Sequence, residues 1–340
     1  MIPLEVIWYF VVITAMIAYA MLDGFDLGVG ALHLFAKKDT DRRVFLNAIG
    51  PVWDGNEVWL VIIGGALFAG FPEAYATIFS SFYNLVMLLL AALIFRAAGI
   101  EFRSKLETPQ WRRFWDAVFF TGSVIIAFGA GLVVGNLIKG IALDSNKDFV
   151  GTFTDFLNPY SLLVGLTTLL LFAMHGSIYL VMKTEGALHN RLRRWVKKTI
   201  TLFISCYLIT TLITYFYMPH MLTFLKESPW LFIIPLAALG LIISIPIQIH
   251  KGRDGWAFIY SCLSIAMLLV LFAIGTFPML IRSSVLPETN SLLIANAASS
   301  QLTLKILLII VATGLPLVFA YGVYVYRLFR GKVRLDKSSY

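Results

Sequence analysis

The chain has 340 residues, 59% of them hydrophobic, 14% aromatic and 14% charged, with a mean hydropathy of +0.83. A soluble domain is about 45–50% apolar and about 25% charged, so a soluble globule, a disordered chain, a collagen and a coiled coil are all excluded. The net charge of +8 comes in short clusters between apolar runs, which removes the continuous basic face that binding nucleic acid requires.

Stretches free of Asp, Glu, Lys and Arg cover 6–22, 58–72, 74–95, 117–138, 156–182, 199–225, 228–250, 255–281 and 306–326. A helix rising 1.5 Å per residue needs about 20 residues to cross the hydrocarbon core. Seven of the nine are long enough as they stand, whereas the first two have only 17 and 15 residues. The alternating polarity of barrel strands is missing. The first run is not a cleaved signal peptide, because no Lys or Arg precedes Lys37 and a signal peptide starts with a positive region. The expected fold is an all-α integral membrane protein with nine transmembrane helices.

Orientation follows from the basic residues by connection. Lys37, Lys38, Arg42 and Arg43 follow span one, and Arg96, Arg103, Lys105, Arg112 and Arg113 follow span three. Lys183, Arg191, Arg193, Arg194, Lys197 and Lys198 follow span five, and Lys251 and Arg253 follow span seven. The tail adds Arg327, Arg330, Lys332, Arg334 and Lys337, making 22 of the 27 on one side, against Lys139, Lys147, Lys226, Arg282 and Lys305 on the other. The N-terminus is therefore expected outside and the C-terminus in the cytoplasm. The longest connections, 139–158, 282–303 and 183–198, are too short for a separate soluble domain. Ala20-Met21-Leu22-Asp23-Gly24 is loosely echoed by Ala173-Met174-His175-Gly176. As a true repeat this would mean two four-helix units, 1–140 and 156–281, plus a ninth helix at 303–328; chance similarity between apolar segments is the simpler account.

Spans one and two reach full length only if they include charged residues. Span one must run on through Asp23 and Asp26 toward His33, and span two must start near Gly50-Pro51 and include Asp54 and Glu57. A carboxylate near the bilayer centre costs about 2.5–3.5 kcal/mol on insertion scales. Each pair is three residues apart, on one helix face. Counted from the cytoplasmic connection, Asp54 lies roughly 8 Å deep and Asp23 roughly 16 Å. Acids stepped inward from the cytoplasm have the form of a proton-uptake path. The alternative is pairing with Arg or backbone donors at the membrane edge, with Asp26 near the interface. Gly24, Gly28 and Gly30 read as helix packing.

Trp53 and Trp59 flank the second acid pair and read first as an interfacial aromatic belt. Arg96, Glu101 and Asp116 are candidates for ion pairing or support. Arg96 either snorkels to the surface or pairs with Asp54 or Glu57, while Asp116 opens span four, where a helix N-terminus favours an acid. Of five histidines only His175 is clearly mid-membrane, and it reads as a hydrogen-bonded core residue. No HxxxH, HExxH or CxxC spacing, GxGxxG or P-loop is present, so neither a metal centre nor nucleotide chemistry has a signature. Pro235, Pro246 and Pro316 are expected to kink their helices. A proton-coupled secondary transporter would use the same acids, but needs a substrate site at broken helices near the midplane.

Several stretches together carry a specific resemblance. They are Leu22-Asp23-Gly24-Phe25-Asp26-Leu27-Gly28-Val29-Gly30 and Gly50-Pro51-Val52-Trp53-Asp54-Gly55-Asn56-Glu57-Val58-Trp59-Leu60. Phe95-Arg96, Glu101-Phe102-Arg103-Ser104-Lys105, Gly135-Asn136-Leu137, Tyr179-Leu180-Val181-Met182-Lys183-Thr184 and Ala298-Ser299-Ser300-Gln301-Leu302-Thr303-Leu304 follow in order. The chain thereby resembles subunit II of the cytochrome bd family of quinol oxidases. The resemblance implies two four-helix bundles plus a peripheral ninth helix, packed against a homologous subunit I that carries the quinol site and haems of b and d type. It implies a complex in the bacterial cytoplasmic membrane that oxidises quinol, reduces oxygen to water and draws protons from the cytoplasm, generating proton motive force without pumping. This chain would hold no catalytic residue, haem or other metal of its own. Asp23 and Asp54 match the aspartates proposed in the family to line the proton route, with Asp26 and Glu57 beside them. Trp53 matches a position where a structural quinone can bind in some members. The implied partners are subunit I, a small single-helix subunit, membrane lipids, and quinol and oxygen through the complex. The connections between spans five and six and between six and seven are shorter than in longer members.

Overall fold

The computed structural model describes residues 2–335; Lys337, counted above with the tail, lies outside the described residues. In chain order come α1 (Leu4–Leu32), α2 (Asp39–Ile49), α3 (Trp53–Gly70), α4 (Pro72–Ser81), α5 (Tyr83–Phe102), α6 (Pro109–Lys139), α7 (Pro159–Lys183) and α8 (Gly186–Tyr217). They are followed by the short α9 (Thr223–Glu227), then α10 (Ile233–His250), α11 (Asp254–Thr276), the single turn α12 (Pro287–Asn290) and α13 (Gln301–Leu328). Among the described residues eight helices are long and apolar enough to cross a membrane, and α2 with α3 makes a ninth if that bent pair is one span.

α1 runs unbroken through Asp23 and Asp26, so the short first run is lengthened by its acids as the span arithmetic requires. Span two differs from expectation in what precedes it. It starts just past Gly50-Pro51 and runs unbroken as α3 through Asp54 and Glu57, as expected, but a further helix, α2, precedes it at a 52° bend, because Pro51 has no N–H to continue the ladder. Arg42 and Arg43, expected in a connection, lie within α2. Span three is divided, with Phe82 between α4 and α5 at φ −89°, ψ 20°. Pro246 and Pro316 lie inside α10 and α13, whereas Pro235 falls in the first turn of α10, where a missing N–H breaks no hydrogen bond.

α1 is the central helix, packed against α3, α6, α7 and α11. In lipid there is little hydrophobic drive between helices, so close approach of backbones through small residues carries the packing. α1 crosses α7 at Gly28 and Gly176: a Cβ at Gly28 would stand 1.8 Å from the Phe172 carbonyl oxygen. A Cβ at Gly30 would stand 2.0 Å from Ser123 Oγ of α6. Phe25, Leu27 and Val29 of α1 and Met174, Ile178 and Tyr179 of α7 are at most 1% exposed around this crossing. α5 packs on α6, α7 on α8 and α11, and α10 on α11, while α13 lies outermost with its main contacts to α1 and α3. Trp59 does not belong to an interfacial belt; it is 5% exposed, packed with Ala15 and Tyr19 and against Phe319 of α13, ring centroids 5.7 Å apart.

At the far end from the acids, the connections 139–158 and 282–303 pack on one another. The Ile141 N–H donates to Arg282 O, and Asn290 Nδ2 donates to Leu143 O. Strand β1 (Met279–Ile281), which leads into the second connection, pairs antiparallel with β2 (Leu292–Leu293) inside it. The chain turns into the first at Gly140, whose φ of +95° favours glycine.

Gly28→Val should lower the unfolding midpoint of the protein in detergent, by the equivalent of about 3 kcal/mol for an overpacked core. Gly240→Ala, at a position with nothing within 4 Å of an added Cβ, should leave the midpoint unchanged or raise it.

Candidate functional site

The acid-bearing segments of α1 and α3 meet α5 at one buried cation. Arg96 of α5 is fully buried and faces Asp23 of α1 with both terminal nitrogens, Nη2 donating to Oδ1 at 2.6 Å and Nη1 to Oδ2 at 3.2 Å. Nη1 also donates to Glu57 Oε2 of α3 at 3.2 Å. The arginine therefore does not snorkel; of the two acids considered for it, it takes Glu57 and not Asp54, and its principal partner is Asp23. Removing each ion from water costs several kcal/mol, which only a close, multiply hydrogen-bonded arrangement offsets; the two-pronged geometry supplies it. α6 walls the site from behind, since a Cβ at Gly122 would come within 3.2 Å of the Arg96 Cβ.

Asp26, expected near the membrane edge, is instead fully buried one turn along α1 from Asp23. Its Oδ2 accepts from Asn56 Nδ2 at 2.7 Å, and Asn56 Oδ1 accepts from the Tyr326 hydroxyl of α13 at 2.9 Å. Asn56 Nδ2 also donates to Leu22 O at 3.2 Å, which fixes the amide between the two helices. Asp26 Oδ1, Tyr19 Oη and Arg96 Nε are buried and make no hydrogen bond among the described residues.

Asp54 parts company with Glu57. Three residues advance a helix by 300°, leaving the two side chains 60° apart, and the edge of the buried face falls between them. Glu57 turns toward Arg96, whereas Asp54 is exposed on the outer face of α3 beside Gly55 and Val58. Trp53, next to it, is half-buried against the main core. Glu101 is half-buried at the end of α5.

A second charged cluster was not legible in the sequence. Asp116 is 1% exposed and lies in the second turn of α6, so the helix N-terminus does not account for it. Its carboxylate is held by Arg103 Nε at 2.5 Å, by Arg42 Nη1 at 2.7 Å and by His33 Nε2 at 2.6 Å. Arg103 Nη2 continues to Asp39 at 2.6 Å, which also accepts from Arg112 at 2.8 Å. The cluster ties the end of α1 and the start of α2 to the turn between α5 and α6. The only sequence signal was that each partner ends or follows an apolar run.

The histidines bear on whether this chain holds haem. His175 is buried, as expected, with Nδ1 2.7 Å from Ser261 Oγ and Nε2 2.9 Å from Met21 O, so both ring nitrogens are engaged. His33 has Nε2 on Asp116, with its ring wedged edge-on against Phe45 and Phe119. Among the described residues no group of three or more His, Cys, Asp or Glu side chains is arranged to hold a metal ion. His33 Nδ1 is buried and makes no hydrogen bond among the described residues.

The chain matches the family model of cytochrome bd terminal oxidase subunit II over residues 4–329. It is 35% identical to the cytochrome bd ubiquinol oxidase subunit 2 of Bacillus subtilis, covering 98% of each chain. It is 34% identical to a probable cytochrome oxidase subunit 2 of Haemophilus influenzae over 99% of this chain and 98% of that one. To the cytochrome bd-I ubiquinol oxidase subunit 2 of Escherichia coli it is 32% identical, over 97% and 95%. The fold is similar to a chain in the structure of bd oxidase from Geobacillus thermodenitrificans, with a TM-score of 0.79 at 18% identity, covering 96% of this chain and 98% of that chain. With the family's motifs placed on a membrane-spanning helical fold of the same kind, and with matches running nearly end to end, the chain belongs to the subunit II family of cytochrome bd terminal oxidases.

Proposed function

We propose that this chain is the non-haem subunit of a quinol:oxygen oxidoreductase, scaffolding subunit I and delivering protons from the cytoplasm toward the site of oxygen reduction. One observation carries the reading: two carboxyl groups, Asp23 and Glu57, share the guanidinium of Arg96, and a third, Asp26, is buried one helical turn from Asp23, all inside a membrane-spanning fold. A structural ion pair needs only one of them. Reducing oxygen to water consumes one proton for every electron, and a surplus of buried acids is what a proton relay requires.

Each residue then has a role. Asp54, exposed on α3, receives the proton and passes it to Glu57, whose side chain is 23% exposed and so reaches from the outer face to the buried set. Arg96 orients the carboxylates of Asp23 and Glu57. Asn56, held by Tyr326, presents one oxygen of Asp26 and leaves the other able to accept a proton without breaking a hydrogen bond. Asp116 with Arg103, Arg42 and His33, and Glu101 nearby, support the helix ends on the uptake side.

The family implies haem in the complex; we place the b- and d-type haems on subunit I, where they supply electron transfer and oxygen reduction. Quinol is the substrate there, and Trp53 is the residue of this chain placed to touch a structural quinone. The basic residues orient the chain with its N-terminus outside and its C-terminus in the cytoplasm of a bacterium, so the acid cluster opens inward. The helices divide into two four-helix units, 1–140 and 156–281, with α13 peripheral, and a small single-helix subunit completes the assembly.

Asp26→Asn and Asp54→Asn, each in the complete complex, should lower quinol-driven oxygen consumption roughly a hundredfold, the lower end of what a positioned proton-transfer group contributes. The visible haem spectrum should be unchanged; a full rate with haem intact would leave only the scaffold role. Arg96→Gln strands buried carboxylates and should destabilise the subunit by about 3–5 kcal/mol, read as a lowered unfolding midpoint and lost haem content. Tyr326→Phe removes one hydrogen bond, costs only about 1 kcal/mol, and should lower turnover without loss of haem.

A further inference from the structure

A cleft of about 360 Å³ opens between the start of α8 and the end of α10. It is lined by Asn190, Arg193, Arg194 and Lys197 of α8 and by Ile249 and His250 of α10. The four α8 residues follow one another at helical spacing, on a single face of the helix. None of the lining residues is acidic. Arg193 reaches across the cleft and donates to the Ile249 carbonyl oxygen, covering the carbonyl-bearing end of α10 with positive charge. Arg194 and Lys197 are exposed and make no hydrogen bond or ion pair through their side chains among the described residues. That contrasts with Arg42, Arg96, Arg103, Arg112 and Arg191, all of which are paired with carboxylates.

The cleft stands where the polar start of α8 gives way to its apolar span. Along the same faces, beyond Thr201, apolar side chains are exposed deeper in: Leu208 on α8, and Ile247 and Ile243 on α10. A basic, acid-free cleft above an apolar track matches an amphiphile whose anionic head sits among cations while its chains lie along the helices. Cation clusters at the cytoplasmic edge of a membrane domain attract anionic lipid headgroups in this way. We infer that the α8–α10 cleft is a binding site for the phosphate of an anionic phospholipid, with Arg194 and Lys197 as its main contacts and Asn190 and His250 as further donors.

The test uses the complete oxidase complex, purified and stripped of lipid in detergent. Bound dioleoyl phosphatidylglycerol is counted by native mass spectrometry, with dioleoyl phosphatidylcholine as the zwitterionic control and inorganic phosphate as competitor. Phosphatidylglycerol should be retained in preference to phosphatidylcholine. The double variant Arg194→Gln/Lys197→Gln should weaken that retention about 30-fold, as expected for losing two surface cations. Both side chains are exposed, so the variant should keep the haem spectrum of the parent. Lys37→Gln/Lys38→Gln, which removes two exposed lysines from the connection after α1, should bind as the parent does. Equal weakening in both double variants would assign the effect to general surface charge and overturn the site. Unweakened binding in the first would do the same. Displacement by inorganic phosphate at the affinity of the lipid would replace the lipid with a soluble anion.

Discussion

Everything near the acids depends on one buried cation. Arg96 sits fully enclosed between α1, α3, α5 and α6, and its two-pronged contact with Asp23 is the arrangement in which two ions can be taken from water without ruinous cost. Arginine suits the position because its flat guanidinium offers several fixed donors, so one side chain holds carboxylates from two helices at once. A lysine would hold either acid as a point charge, without setting the direction of both.

The surrounding packing reads as the means of keeping that contact closed. Gly28 and Gly176 let the backbones of α1 and α7 meet, which sets the depth at which Asp23 and Asp26 lie. Gly122 brings α6 against Arg96, and the bend at Gly50-Pro51 swings α3 in so that Asn56 and Glu57 face α1. α13 contributes little buried area, yet its Tyr326 closes the far side of the network through Asn56. A peripheral helix thus reaches the most enclosed polar residues of the chain. The Asp116 cluster fixes the opposite side of the same helical hairpin, joining α1, α2 and the α5–α6 turn through residues from four segments.

Much of the fold is legible in the chain. Solvent class follows from the scarcity of charge, and the continuation of α1 through Asp23 and Asp26 follows from a run of 17 residues being too short to cross. The glycines and His175 also read correctly, because both are local: a missing side chain marks close approach, and a lone histidine among apolar residues must be hydrogen-bonded. The partner of Arg96 was not legible, since Asp23 lies 73 positions away and only the fold brings it within reach. The same holds for Asp116, whose partners all precede it, Arg103 by 13 positions, Arg42 by 74 and His33 by 83. Spacing alone placed Asp54 and Glu57 together, because a three-residue step looks like one face until the edge of a buried surface falls inside it. Trp59 read as belt because its neighbour Phe319 comes from the ninth helix, invisible from either sequence neighbourhood.

The reading of this chain as the proton-delivering subunit is tested most directly by single-turnover proton uptake. The fully reduced complex is mixed with oxygen in the presence of a pH indicator, and the decay of the oxygen intermediates is followed in the same sample. In the Asp54→Asn complex, oxygen binding to the reduced complex should keep its parental rate, while proton uptake and the last oxygen-reducing step slow together. Proton uptake at the parental rate in that complex, with haems intact, would contradict a proton route through this chain.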